Sequence, residues 1–226
     1  MDLLGPSLCE LHKFCGFKFS LKTTLLIGIQ LLQRVQHMHD IGYINRDIKP
    51  GNLVMGIDNN SATLHLIDMG IAKRYVSESS GRHIPFRDDK QLVGTPCYAS
   101  INSDSGIETS RRDDLESVFY TLVYLHTGFL PWVNIVQNED ILHLKKTISP
   151  EKICRECPQE FAVLLSYSKT LEFEEKPEYN MMIRMLENLA RDRGINLDDK
   201  IYDWSIRSVI MQDYPDFYDF LDDTYY

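Results

Sequence analysis

Apolar residues recur every three or four positions over most of this chain. Leu25, Ile29, Leu32, Val35 and Met38 form one such stripe, which predicts an amphipathic helix with one buried face. Ser20 stands before the stripe as an N-cap and Gly42 after it as a stop. Upstream, Ser7 and Glu10 have the S-x-x-E spacing of a capping box and open a shorter helix that Gly16 ends. Leu115, Val118, Phe119, Leu122 and Leu125 make a further stripe, opened by Asp114 and stopped near Gly128. Pro158 starts a helix bearing Phe161, Leu164 and Leu165. Pro177 starts another, with Met182, Met185, Leu186 and Leu189, ended by Gly194. The period changes in one place. Leu53-Val54-Met55 and Leu64-His65-Leu66-Ile67 are short apolar runs around the turn cluster Asp58-Asn59-Asn60-Ser61, a pattern that predicts a hairpin. The chain reads as mainly α with one small β-hairpin and no internal repeat.

Polar motifs flank that hairpin. Asn45-Arg46-Asp47-Ile48-Lys49-Pro50-Gly51-Asn52 runs into its first strand, and Asp68-Met69-Gly70 leaves its second. Asp47 offers a carboxylate that can accept a hydroxyl proton. Lys49, two residues on, is placed to meet a phosphate oxygen. Asn52 and Asp68 offer oxygen ligands, and a hairpin between them brings both to one end of the paired strands. Magnesium takes oxygen ligands and keeps several waters, so two protein ligands and a phosphate chain suffice. Taken singly, an R-D dipeptide is an ordinary surface ion pair and a D-x-G an ordinary turn. Taken together, at this spacing, they describe a grip on a nucleotide–magnesium complex suited to phosphoryl transfer.

Composition narrows the class. A chain of 226 residues with 43% hydrophobic content is long enough for one sizeable core. It holds no run of about eighteen apolar residues, so no membrane span is expected, and no signal peptide precedes the first motif. The five cysteines (Cys9, Cys15, Cys97, Cys154, Cys157) are odd in number and scattered. That pattern suits free thiols in a reducing compartment, hence a cytoplasmic and/or nuclear protein. Cys154-Arg155-Glu156-Cys157 has C-x-x-C spacing without a second pair, and reads as two core or surface thiols. A net charge of −9 argues against nucleic acid as the main partner. His37-Met38-His39 reads as a helix end, and Lys145-Lys146 as a solvated charge late in a helix. The stretch from Asp213 to Tyr226 alternates acids with aromatics. It reads as a solvated tail or, more sharply, as a docking peptide over exposed apolar surface.

Several further runs carry a resemblance. They are Leu3-Leu4-Gly5-Pro6-Ser7-Leu8, Gly70-Ile71-Ala72-Lys73-Arg74-Tyr75, His83-Ile84-Pro85-Phe86-Arg87, Gly94-Thr95 with Tyr98-Ala99-Ser100-Ile101-Asn102, and Ser110-Arg111-Arg112-Asp113-Asp114-Leu115-Glu116-Ser117. In this order they resemble the casein kinase 1 family of serine/threonine protein kinases. Lys176-Pro177 and Tyr202-Asp203-Trp204 match its later landmarks. The resemblance implies a protein-kinase-like large lobe over residues 1–204, an acidic aromatic tail over 205–226, and an absent small lobe. It implies ATP and Mg2+ as cofactors, a protein substrate or a full-length kinase relative as partner, and a monomer. Asp47 is then the base, with Lys49, Arg46 and Thr95 completing the catalytic set. Asn52 and Asp68 are the metal ligands. Leu3, Leu4, Leu53 and Ile67 floor an adenine pocket and, without a small lobe, face water. Asp114 is a plain helix-terminal charge on its own; the resemblance implies a buried carboxylate bonded to the backbone of the catalytic loop.

The departures from that family carry expectations too. Its H-R-D is Asn45-Arg46-Asp47 here, and its D-F-G is Asp68-Met69-Gly70. An amide and a thioether can touch but cannot stack, so the lock between these two motifs is expected to be looser. The arginine that the family carries before Tyr98 is Cys97, which removes a group that recognises acidic substrates. No two of the twelve glycines stand at G-x-G spacing. The glycine loop over the phosphates and the lysine–glutamate pair of a small lobe are therefore not expected within these residues, and the polypeptide alone is expected to show little or no activity. Three functions compete: the large lobe of a serine/threonine kinase, a non-catalytic pseudokinase acting as a protein-interaction module, and a degenerate product without selected function.

Overall fold

Capping chemistry sets the first two helices. A computed structural model describes residues 3–213 of the chain. In α1, Leu8–Phe14, the Ser7 N–H donates to Glu10 Oε2 at 2.8 Å while Ser7 Oγ accepts the Glu10 N–H at 3.3 Å, the reciprocal pair expected from S-x-x-E. In α2, Leu21–Asp40, Ser20 Oγ accepts the Thr23 N–H at 3.2 Å. Ser20 also donates from its backbone and its hydroxyl to Asp203, each at 2.6 Å, so the start of α2 is tied to a residue far along the chain. The predicted stripe on α2 is buried at Leu25, Leu32, Val35 and Met38, and half-buried at Ile29.

Short strands follow. These are β1 (Tyr43–Ile44), β2 (Leu53–Met55), β3 (Leu64–Leu66) and β4 (Lys73–Arg74). β2 and β3 form the predicted antiparallel hairpin, with Leu53 opposite Leu66, Val54 opposite His65 and Met55 opposite Leu64. The turn cluster becomes a single 3-10 turn, Asp58–Asn60. β1 pairs antiparallel with β4, Tyr43 opposite Arg74 and Ile44 opposite Lys73. Strands of two residues are too short to leave a period in the sequence.

The remaining described elements are helical: α3 (Ile101–Asp104), α4 (Arg111–Thr127), α5 (Asn138–Thr147), α6 (Pro150–Ile153), α7 (Gln159–Thr170), α8 (Tyr179–Asp192) and α9 (Asp203–Asp213). α4 opens one turn earlier than expected. Ser110 is its N-cap, and Asp113 takes the Ser110 N–H at 2.7 Å. That leaves Asp114 inside the first turn and frees its carboxylate for another task. α9 runs across position 204, so the expected boundary there is not a break in secondary structure. Residues 214–226 of the expected acidic aromatic tail lie outside the described residues.

The core lies where α2 packs on α4 and α8, and α4 on α7. Leu25, Ile27, Leu31, Leu32 and Val35 of α2 are wholly buried, as are Leu115, Val118, Phe119 and Leu122 of α4. Each such side chain contributes about 1.5–3 kcal/mol on leaving water. Gly28 sets how closely α2 approaches: a Cβ there would stand 3.1 Å from Leu122 and 3.2 Å from Leu186. Among the described residues no helix is long and apolar enough to cross a membrane. The long helices thus pack as one block, and the hairpin lies against α1 and the middle of α2, where Gln30 and Arg34 bond the backbone of Leu64.

Candidate active site

The loop after β1 is held from below. Its first residue, Asn45, is wholly buried. The Asn45 N–H donates to Asp114 Oδ2 at 2.7 Å and the Arg46 N–H to Asp114 Oδ1 at 2.8 Å. Of the two readings of Asp114, the structure shows the buried one, 2% exposed and bonded to loop backbone. The same carboxylate meets His39 Nε2 at 2.8 Å, and His39 Nδ1 meets the Tyr179 hydroxyl at 2.5 Å. Arg46 takes φ +72°, a left-handed conformation unusual for a side-chain-bearing residue. Two charge-assisted backbone bonds hold it there.

Asp47 then lies at the centre of a cluster. Its Oδ1 accepts from the Thr95 hydroxyl at 2.7 Å. Its Oδ2 accepts from Lys49 Nζ at 2.7 Å and from Asn52 Nδ2 at 3.0 Å. Lys49 Nζ also donates to Thr95 Oγ1 at 2.8 Å, and Asn52 Nδ2 to the Asp47 backbone carbonyl at 3.0 Å. Thr95 reaches this cluster because Gly94 precedes it. Gly94 has φ +95°, and a Cβ there would lie 2.3 Å from the Arg46 carbonyl oxygen, so only glycine lets the two loops come this close.

Asp68 sits at the same end of the hairpin. The Ile67 N–H donates to the Asn52 carbonyl at 2.9 Å, so Asp68 is the next residue beyond that cross-strand pair. It is exposed, has φ +61°, and takes the Gly70 N–H on Oδ1 at 3.0 Å. The amide nitrogen of Asn52 is committed to Asp47, and its Oδ1 accepts no hydrogen bond among the described residues. An uncommitted amide oxygen and a carboxylate at one end of a hairpin are hard-oxygen donors of the kind that magnesium accepts. Among the described residues no group of three or more His, Cys, Asp or Glu side chains converges for a metal. A cation here would therefore take its remaining ligands from phosphate and water.

Other expected site residues are placed differently. Arg46 does not join the Asp47 cluster; its Nε donates to the Ile71 carbonyl at 2.7 Å and holds the segment after Asp68. Of the expected adenine floor, Leu3 is 79% exposed, and Leu4 and Ile67 are half-buried. Leu53 is wholly buried and does not face water. Its strand is covered by α1 and bridged to Ser7 through Val54, so both faces of β2 are covered and all three of its residues are buried.

The protein kinase domain model matches residues 7–194. This chain belongs to the protein kinase family.

Within this protein kinase domain the 45–52 loop and the end of the 53–66 hairpin lie on a helical lobe. The touch expected between the two altered motifs is present: Asn45 Nδ2 lies 3.6 Å from Met69 Sδ, and Met69 is 47% exposed. Asn45 also turns its Oδ1 to the Asp47 N–H at 3.0 Å, so the amide braces the kinase loop internally.

Lys145 is a correction. It is not a solvated helix-end charge; its side chain is wholly buried and its Nζ meets the carbonyls of Pro96 and Ala99 at 2.6 Å each and Asp104 Oδ2 at 2.7 Å. Lys146 is exposed as expected. Burial pushes both C-x-x-C thiols up to about 12, which suits inert packing groups rather than ligands.

Tyr179 and Glu108 carry no site signal of this kind in the sequence, and His39, which reads there as a helix end, packs under the loop. Glu108 takes Lys73 Nζ at 2.7 Å and lies 3.8 Å from Lys90 Nζ.

Proposed function

We propose that this chain is the large-lobe portion of a serine/threonine protein kinase of casein kinase 1 type, transferring phosphoryl from ATP to protein hydroxyls. The observation that carries the reading is the Asp47 carboxylate, met at once by Lys49, Asn52 and Thr95. A base that is fully hydrogen-bonded is held in place but restrained. Lys49 provides the release: its ammonium shares Asp47 and Thr95, and a phosphate oxygen nearby would draw it off Oδ2. That oxygen then faces an acceptor hydroxyl and takes its proton. Thr95 keeps Oδ1 fixed meanwhile. Asn52 Oδ1 and the Asp68 carboxylate would hold Mg2+, which when bound neutralises charge on the transferring phosphoryl group. Leu3, Leu4 and Ile67 would meet the adenine.

The 226 residues contain no G-x-G pair to cover the phosphates, and each charge-assisted contact missing from the nucleotide is worth about 1.5–3 kcal/mol. The polypeptide by itself is expected to phosphorylate casein only at trace level. Robust phosphorylation that Asp47→Asn abolishes would overturn that expectation. Binding is the more direct test. Melting with ATP should show stabilisation that requires Mg2+ and disappears in Asp68→Asn; a ligand at 100 times its Kd adds about 2.7 kcal/mol. Equal shifts in the two proteins would sink the metal assignment.

One observation favours the second reading, a pseudokinase that binds proteins. Met69 is half-exposed and shares an open cleft of about 490 Å³ with Ile41, Tyr43 and Leu66. An apolar surface of this kind beside the site offers a docking face. Absence of any nucleotide-dependent shift would favour this reading.

A further inference from the structure

Lys145 comes from α5, 50 residues after Thr95 in the chain, yet its ammonium is spent entirely on the segment that follows Thr95. An ammonium has three donors, and here the Pro96 carbonyl, the Ala99 carbonyl and the Asp104 carboxylate take them. The charge also lies over two rings, 5.4 Å from the centre of Tyr120 and 5.5 Å from that of Trp132. Burial favours the neutral amine and the Asp104 charge opposes this.

The carbonyls of the segment have nearly all been claimed. Thr95 O accepts the N–H groups of Tyr98 and Ala99, each at 2.9 Å. Pro96 O and Ala99 O go to Lys145, and Cys97 O accepts the Trp132 indole N–H at 2.8 Å. Pro96 and Trp132 are thus tied into one block with Lys145, and Thr95 stands at its edge. From that edge the Thr95 hydroxyl reaches Asp47. Gly94 on the other side rests against the Arg46 carbonyl. The base is therefore gripped through Thr95, and Thr95 is aimed by a buried cation that touches neither base nor metal ligand.

We propose that Lys145 is a positioning residue for the active site, holding the 95–104 segment so that Thr95 bonds Asp47 and the segment presents a fixed wall beside the acceptor hydroxyl. This rests on the reading of Asp47 as the base. Methionine keeps the length of the side chain and loses all three donors, whereas arginine keeps the charge and several donors.

The test uses the full 226-residue chain and needs no turnover. In Lys145→Met, amide hydrogen exchange across 95–104 should rise by at least about tenfold while α2 stays protected. The carboxyl 13C resonance of Asp47 should move toward its position in Thr95→Val, and Lys145→Arg should restore both signals in part. Should Lys145→Met not fold, Asp104→Asn serves: it removes the counter-ion that touches the ammonium and should loosen the same segment. An Asp47 resonance and a 95–104 exchange rate unchanged from wild type, in whichever variant folds, overturn the proposal. Failure of Lys145→Arg to restore either signal, with its fold intact, also overturns it. A nucleotide titration that leaves Asp68 and Asn52 unmoved would instead overturn the kinase reading, and leaves the Lys145 result standing.

Discussion

The carboxylate of Asp114 lies 2.7 Å from the backbone nitrogen of Asn45, a residue 69 positions away in the chain. Through this bond and its partner to Arg46, one helix of the core sets the height and direction of the loop that carries Asp47.

Removing that grip should be costly. Asp114→Ala leaves two N–H groups and His39 without their acceptor in a region closed to water. The expected loss is about 3–5 kcal/mol, as for buried donors stripped of their acceptor. A urea denaturation series reads it as a drop in midpoint at unchanged slope. A loss below about 1 kcal/mol would mean the loop is held by something else.

Gly94→Ala should damage the site without opening the core. The added methyl meets the Arg46 carbonyl and sits on a backbone with φ +95°, a combination expected to cost about 1–3 kcal/mol. Exchange of amides around Thr95 should rise while α4 and α7 keep their protection. Uniform loss of protection would contradict a local role.

The contribution of His12 to stability should fall as the solution is acidified below neutrality, against buried acids such as Asp113 and Glu116 whose raised values act in the opposite sense. Burial holds this imidazole below its ordinary value of 6.5, and its Nε2 meets the Leu125 carbonyl at 3.1 Å. As pH falls through 6.5 the unfolded chain takes up the proton before the folded one does. The unfolded state thus binds more protons, and this contribution declines as pH drops through the interval beneath 6.5. His126, also held down by burial, acts in the same sense. Denaturant midpoints at pH 7.5 and about 5.5, compared with those of His12→Gln, isolate it: the variant should lose less, or gain more, on acidification. An identical change would rule His12 out.

The contact between Asn45 and Met69 should be improvable. Asn45→His combined with Met69→Phe replaces an amide–thioether touch at 3.6 Å with an aromatic pair, worth about 0.5–1.5 kcal/mol beyond its buried area. The double variant should hold Asp68 more firmly and show a larger Mg2+-dependent melting shift with ATP than wild type. A smaller shift would indicate that Asn45 is needed for its bond to the Asp47 N–H.

Much of the lobe was legible because its signals are local. The cap at Ser7, the stripe on α2 and the 53–66 hairpin depend on residues a few positions apart, where propensity, capping and period act together. The spacing of Asp47, Lys49 and Asn52 was readable for the same reason: one tight turn, Pro50–Asn52, carries Asn52 back to Asp47. Leu53 was misplaced because alternation along a three-residue strand does not say that both faces are covered.

Lys145 and Asp114 show where local reading stops. A lysine late in an amphipathic helix and an acid at a helix start each have an ordinary solvated meaning, and their neighbours in the chain do not alter it. Their roles come from packing: α5 carries Lys145 against the 96–104 segment, and α4 carries Asp114 under the loop after β1. Chain order and composition supplied the list of chemical groups and the helices that bear them. Which buried charge meets which carbonyl or N–H was settled only when distant segments closed around each other, because the desolvation that makes such a partner obligatory does not exist until the core has formed.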